Sequence, residues 1–180
     1  KSMLTSDQDP GDLTLVSNPD LSDLDLNLVL GERATGLNID RQEVTVGGDK
    51  IRYDGLIIAT GARARKLSKS DDIDGIHVLR TVDDALAIRS GLKSNAAVVI
   101  VGAGFIGSEV AAAARQHDCQ VTIIEANEAP LVRGLGHQVG SACGELHQAH
   151  GVDLRLGTGV VNVHGRNGIE EIELTDGTYL

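Results

Sequence analysis

The chain has 180 residues, with 16 Lys plus Arg against 26 Asp plus Glu and a formal net charge of -10. That balance excludes a nucleic-acid binder, because neutralising a phosphate backbone needs clustered Lys and Arg. Apolar residues make up 41%, and the only aromatics are Tyr53, Tyr179 and Phe105, so the core must be aliphatic. The length allows one domain, or one domain plus part of another. Lys1 to Asp25 is rich in Asp, Ser and Pro without a sustained period, which predicts surface loop with about one helical turn. Its opening residues contain no apolar core of signal-peptide length, and the apolar run Ala96 to Gly107 holds three glycines and is too short to span a bilayer. The protein reads as cytoplasmic, and its start at Lys1 rather than Met predicts a longer parent.

Asn27 to Gly31 reads as a short strand, and Glu43 to Val46 with Lys50 to Tyr53 as a hairpin around Gly47-Gly48-Asp49. Leu56 to Ala59 reads as a buried strand ending in Thr60-Gly61. The basic cluster Arg63, Arg65, Lys66 and Lys69 then marks a solvated linker between two structural units. Asp83 to Leu92 has helical composition, with acidic residues at the start where the helix dipole favours them. Ala96 to Val101 is a continuous apolar run and Val121 to Glu125 another, each predicting a buried parallel strand. Between them Ile106 to His117 is an Ala-rich helix. Gly136 to His150 predicts a further helix, with Gly136, Gly140 and Gly144 permitting close backbone packing at a cost in helix propensity. Val152 to Leu156, Val160 to His164 and Ile169 to Leu174 read as strands, the last closed by the turn Thr175-Asp176-Gly177. The order predicts an α/β fold: a Rossmann-like NAD(P)-binding domain with an inserted β-meander.

The chemistry lies in Gly102-Ala103-Gly104-Phe105-Ile106-Gly107, a G-x-G-x-x-G placed between a strand and a helix. In that setting Gly102 allows the tight turn, Gly104 lets a pyrophosphate approach the backbone, and Gly107 lets the helix pack near the sheet. The helix N-terminus offers N–H groups and partial positive charge to the phosphates. Glu125, 23 residues after Gly102 and at the end of the next strand, has the spacing of an acid that accepts both adenosine ribose hydroxyls. A carboxylate there repels a 2′-phosphate, so NADH is expected to be preferred over NADPH. Cys119 and Cys143 match neither a redox pair nor metal-ligand spacing. His147 and His150 have no clustered acidic or thiol partner, and no metal site is expected.

Ile51 to Arg63, followed about forty residues later by the glycine fingerprint, resembles the two-dinucleotide flavoproteins of the pyridine nucleotide-disulfide oxidoreductase superfamily. In detail the chain looks most like the putidaredoxin-type ferredoxin reductases of bacterial oxygenase systems. Lys1-Ser2-x-Leu4, Val78-Leu79-Arg80-Thr81-x-Asp83-Asp84-Ala85, and Glu109 within Ile106-Gly107-x-Glu109 match as well. The resemblance implies an internal fragment, with residues 1–66 a partial FAD-binding domain and residues 67–180 a nearly complete NAD-binding domain. It implies that Ala59, Thr60 and Gly61 lie beside the flavin nucleotide and Arg65 near the FAD phosphates. Lys1 would stand close to the flavin ring, Glu109 would help to hold the nicotinamide, and Arg133 would contact the adenosine part of NAD.

The implied activity is an FAD-dependent NADH:ferredoxin-type reductase, taking hydride from NADH and delivering single electrons to an iron-sulfur protein of ferredoxin or rubredoxin type. The cofactor does the chemistry, and no residue need act as acid, base or nucleophile. On the same scaffold an NADH oxidase, or a peroxide or nitrite reductase flavoprotein, is the alternative. From another class, the alternative is a non-catalytic NAD-binding module.

Overall fold

The computed structural model describes residues 2–6, 11, 23–67 and 73–180. The chain divides into two compact units, Leu13–Ala62 and a second formed by Lys1–Asp12 with Arg63–Leu180. Of the first residues, 2–6 and 11 thus group with the later unit. The reason is local. In α1 (Ser2–Thr5) Met3 and Leu4 are buried, the Leu4 carbonyl meets His117 Nε2 at 2.7 Å, and Arg89 donates to the Ser6 carbonyl at 2.6 Å.

The first unit contains an antiparallel sheet of β1 (Ala34–Asn38), β2 (Glu43–Val46) and β3 (Asp49–Arg52), in that order. The hairpin β2–β3 turns at Gly47 and Gly48, both with positive φ, as the sequence predicts. The strand expected at Asn27 to Gly31 does not form. Its place is taken by β1, which pairs with β2 through an irregularity between Ala34 and Gly36. The strand expected at Leu56 to Ala59 is likewise absent: residues 56–61 are irregular and exposed, with Ile57 90% accessible. Both segments have strand composition, yet neither has a neighbouring strand among the described residues, and a lone strand leaves its backbone groups unpaired.

The second unit carries the parallel sheet. β4 (Ala97–Val101), β5 (Gln120–Glu125) and β6 (Val152–Leu156) lie side by side in chain order, with Ile100 opposite Ile123 and Ile123 opposite Leu154. The connections are α3 (Phe105–Gln116) and α4 (Val132–Ala149), and α2 (Val82–Gly91) precedes β4. Val121 and Ile123 pack on one face with Ala111 and Ala114 of α3, Cys119 and Val152. Ile124 turns to the other face against Ile172 and Leu174. Those two belong to β8 (Glu171–Leu174), which pairs antiparallel with β7 (Val160–His164), so a β-hairpin covers the face opposite α3. Full burial of a side chain such as Ile123 or Ile124 contributes roughly 1.5–3 kcal/mol. β4 is less buried than its composition predicts, because it is an edge strand of this sheet and Val101 stays 47% exposed.

α4 begins four residues before the expected Gly136, and Gly136 interrupts it with φ 76° and ψ 173°. Gly140 and Gly144 beyond the break do provide close packing. A Cβ on Gly140 would run into the Pro130 carbonyl oxygen, and one on Gly144 would lie 3.2 Å from Leu154 Cδ2. Cys119 and Cys143 are free thiols. No helix among the described residues is long and apolar enough to cross a membrane.

Candidate nucleotide site

Each glycine of the fingerprint has its own physical reason. Gly102 leaves β4 with φ 101°, and its N–H donates to the Ile124 carbonyl at 2.7 Å, which holds the turn against β5. A side chain on Gly107 would strike the Gly102 carbonyl oxygen and crowd Ile100 Cγ2 at 3.3 Å, so α3 can approach the sheet only here without one. Gly104 differs. It sits at the N-cap of α3 with φ -78°, a conformation open to any residue, and nothing lies within 4 Å of an added Cβ. No side chain caps this helix. Its first-turn N–H groups therefore take no side-chain acceptor, which leaves them to an anion at the helix N-terminus.

Glu125 closes the other end of the site. Its Oε2 accepts the Ala103 N–H at 2.7 Å, and its Oε1 accepts the backbone N–H of Asn127 at 2.9 Å and the side-chain amide of Asn127 at 2.5 Å. Burial pushes its pKa up, but the N–H donors of Asn127 and Ala103, with Arg133 nearby, more than offset this and hold the carboxyl below its ordinary value. The charged form is the form present at neutral pH. Leu131 links the two ends: its N–H donates to the Ala103 carbonyl at 3.0 Å, and it adopts the left-handed conformation, φ 56°, at the start of α4.

These elements enclose a cleft of about 510 Å³, within the range of nucleotide and cofactor sites. Of the residues singled out from the sequence, Gly104, Phe105, Glu125 and Arg133 line it, while Gly102 and Gly107 shape the turn beneath it. The Phe105 ring packs on Gly134 in the cleft lining, where an added Cβ would stand 3.0 Å from the ring. Ile106 and Glu109 face a second, smaller cavity of about 210 Å³ with Leu4, Leu79, Arg80 and Val110. Lys1 lies outside the described residues. Ala59, Thr60, Gly61 and Arg65 are exposed on irregular chain, and no enclosing wall is formed around them by the described residues of their segment. Nothing in the sequence singles out Asn127, Ala103 and Leu131 for a role at the site. Ala103 and Leu131 act through backbone groups, and an Asn after a strand is also an ordinary turn residue.

A family model described as pyridine nucleotide-disulphide oxidoreductase matches residues 4–180. Rhodocoxin reductase of Rhodococcus erythropolis is 38% identical over 170 residues, covering 93% of this chain and 40% of that protein. The ferredoxin–NAD(+) reductase component of the biphenyl dioxygenase system of Paraburkholderia xenovorans is 36% identical over 154 residues, covering 84% of this chain and 38% of its own. Among solved structures, the covalent putidaredoxin reductase–putidaredoxin complex matches with a TM-score of 0.89 at 31% identity, covering 100% of this chain and 45% of that one. The chain thus spans about two fifths of the length of these curated relatives.

Proposed function

Because this chain belongs to the pyridine nucleotide-disulphide oxidoreductase family, we propose that it forms the NADH-binding part of an FAD-dependent reductase serving an iron-sulfur protein of ferredoxin or rubredoxin type. One observation carries the reading: the uncapped N-terminus of α3 at Gly104 and the ionised Glu125 carboxylate face a single cleft. The spacing suits a dinucleotide whose pyrophosphate lies on the helix end and whose adenosine ribose reaches the acid. The open space beside Gly104 is a cradle that a Cβ would partly fill.

In this reading the N–H groups of Gly104, Phe105 and Ile106 bind the pyrophosphate, and Glu125, with three of its acceptor positions met within the chain, takes one adenosine ribose hydroxyl and repels a 2′-phosphate. Arg133 lies along the adenosine. Glu109, with Lys1, holds the nicotinamide end, which the small cavity beside Ile106 and Glu109 suits. The residues of this chain orient the donor, and the gain is one of proximity. FAD, when bound, supplies the acceptance of a hydride and the release of single electrons. Ala59, Thr60, Gly61 and Arg65 are assigned to it by family resemblance, residues 1–66 belonging to the FAD-binding domain and 67–180 to the NAD-binding domain. The names of the relatives support an iron-sulfur acceptor. Two unpaired cysteines accord with a reducing, cytoplasmic setting.

The test is anaerobic titration of the reductase that carries this chain, followed by its visible absorbance. NADH is expected to bleach the flavin band and an oxidised ferredoxin to restore it. A flavin band untouched by NADH overturns the reading. Bleaching that only dioxygen or peroxide reverses would favour an oxidase or peroxide reductase instead. Tight NADH binding without electron transfer to any acceptor would point to a non-catalytic module.

A further inference from the structure

We propose that Asn127 is a positioning residue that fixes the Glu125 carboxylate in the cleft and so sets how strongly the site distinguishes NADH from NADPH; this rests on the NADH reading above. Glu125 is held from two sides. Ala103, in the turn after β4, donates to Oε2, and Asn127, in the loop after β5, donates twice to Oε1. A carboxylate offers about four acceptor positions, and three are met by these N–H groups, which sets its plane and leaves capacity for a ribose hydroxyl. Of the three donors only the Asn127 amide comes from a side chain, so it alone can be removed by substitution.

The loop that carries Asn127 is itself anchored. The Asn127 carbonyl accepts the Gly157 N–H at 3.0 Å, and the Glu125 carbonyl accepts the Thr158 N–H at 3.2 Å. Thr158 is buried and pairs through its hydroxyl with Thr175 at 3.0 Å. The backbone around Asn127 therefore stays in place without the amide, and its removal leaves the Glu125 carboxylate on the two backbone N–H groups alone, less firmly fixed than with three donors.

Freedom there matters because Arg133 lines the same cleft from α4 and is the charged group acting on Glu125. With Glu125 fixed, a 2′-phosphate meets a carboxylate beside the cation. With one of its three donors gone, Glu125 turns away more readily when a 2′-phosphate enters, and Arg133 is left to attract that phosphate.

The experiment measures the dissociation constants of NADH and NADPH by calorimetry for the wild-type protein, Asn127→Ala, Glu125→Ala and the double variant. Asn127→Ala is expected to lower the NADPH-to-NADH ratio of dissociation constants about tenfold, as a lost 1–1.5 kcal/mol hydrogen bond would. It should have little further effect in the Glu125→Ala background. A merely structural loosening would weaken both nucleotides alike and leave the ratio unmoved, and that result overturns the proposal. Asn127→Leu, close to Asn in shape and without any side-chain donor, serves the same comparison should Asn127→Ala not fold. If the wild type shows no preference for NADH, the reading of Glu125 as the acid that selects NADH fails. Carbon-13 titration of the Glu125 carboxyl then still decides the positioning role: a pKa that rises in Asn127→Ala supports it, and an unchanged one refutes it.

Discussion

At the scale of single residues the glycine turn separates packing from binding. Gly107 exists for the fold, since any side chain meets the Gly102 carbonyl, and Gly107→Ala is expected to cost roughly 1–3 kcal/mol in chemical denaturation. Gly104 has neither a conformational nor a packing reason. Gly104→Ala should cost no more than about 1 kcal/mol, the penalty of Ala at an N-cap, yet weaken NADH at least about tenfold by calorimetry. Equal losses of stability in both variants would remove the distinction. Glu125 adds a pH effect. Its pKa is lowered in the folded chain, so its stabilising contribution is complete above the ordinary carboxylate value and disappears as pH falls through the lowered one. Denaturation curves across that acid range should therefore converge for wild type and Glu125→Gln, and separate above it.

Among the elements, α2 shows how a short helix is held. Thr81 Oγ1 accepts the Asp84 N–H at 3.1 Å, while Asp84 Oδ2 accepts the Thr81 and Arg80 N–H groups at 2.8 Å each, a complete capping box. Thr81→Ala is expected to destabilise the chain by about 1 kcal/mol in thermal or chemical unfolding. The break in α4 makes the opposite point. Gly136 has backbone angles open essentially to glycine alone, and Gly136→Ala should cost on the order of 1–3 kcal/mol. From the sequence, Gly136, Gly140 and Gly144 form one stripe. The spacing tells that three Cβ atoms are missing from one face, and it cannot tell that two are missing for contact and one for conformation. The parallel strands were legible because their apolar runs are bounded by glycine and polar residues. Asn27 to Gly31 and Leu56 to Ala59 misled for the converse reason: composition reports what a strand is made of, and pairing decides whether one forms.

Over the whole molecule, charge and exposed apolar surface oppose each other. Ile57 is 90% exposed and Leu30 82%, with Ile58 and Leu28 open as well. Apolar surface of this kind favours association, while a net charge of -10 resists it. Salt should tip the balance, because at about 0.15 M the screening length falls to roughly 8 Å. The 180-residue chain is expected to associate as salt is raised, seen by sedimentation, and Ile57→Ser should reduce this with a change in stability of only about 0.5 kcal/mol. Association that ignores both salt and Ile57 would point to another surface.

β5 has a neighbour on each side and a packed layer on each face, with Ile123 turned to one and Ile124 to the other. It is therefore the one strand of its sheet that no local fraying can expose. Its amide protons should be the last in this unit to exchange with deuterated solvent, doing so only when the whole unit opens, whereas those of β1, with every residue exposed, should exchange first. The strand that carries Glu125 at its tip is thus the most slowly opening part of the sheet, and the acid's anchorage persists through fluctuations that loosen the edges.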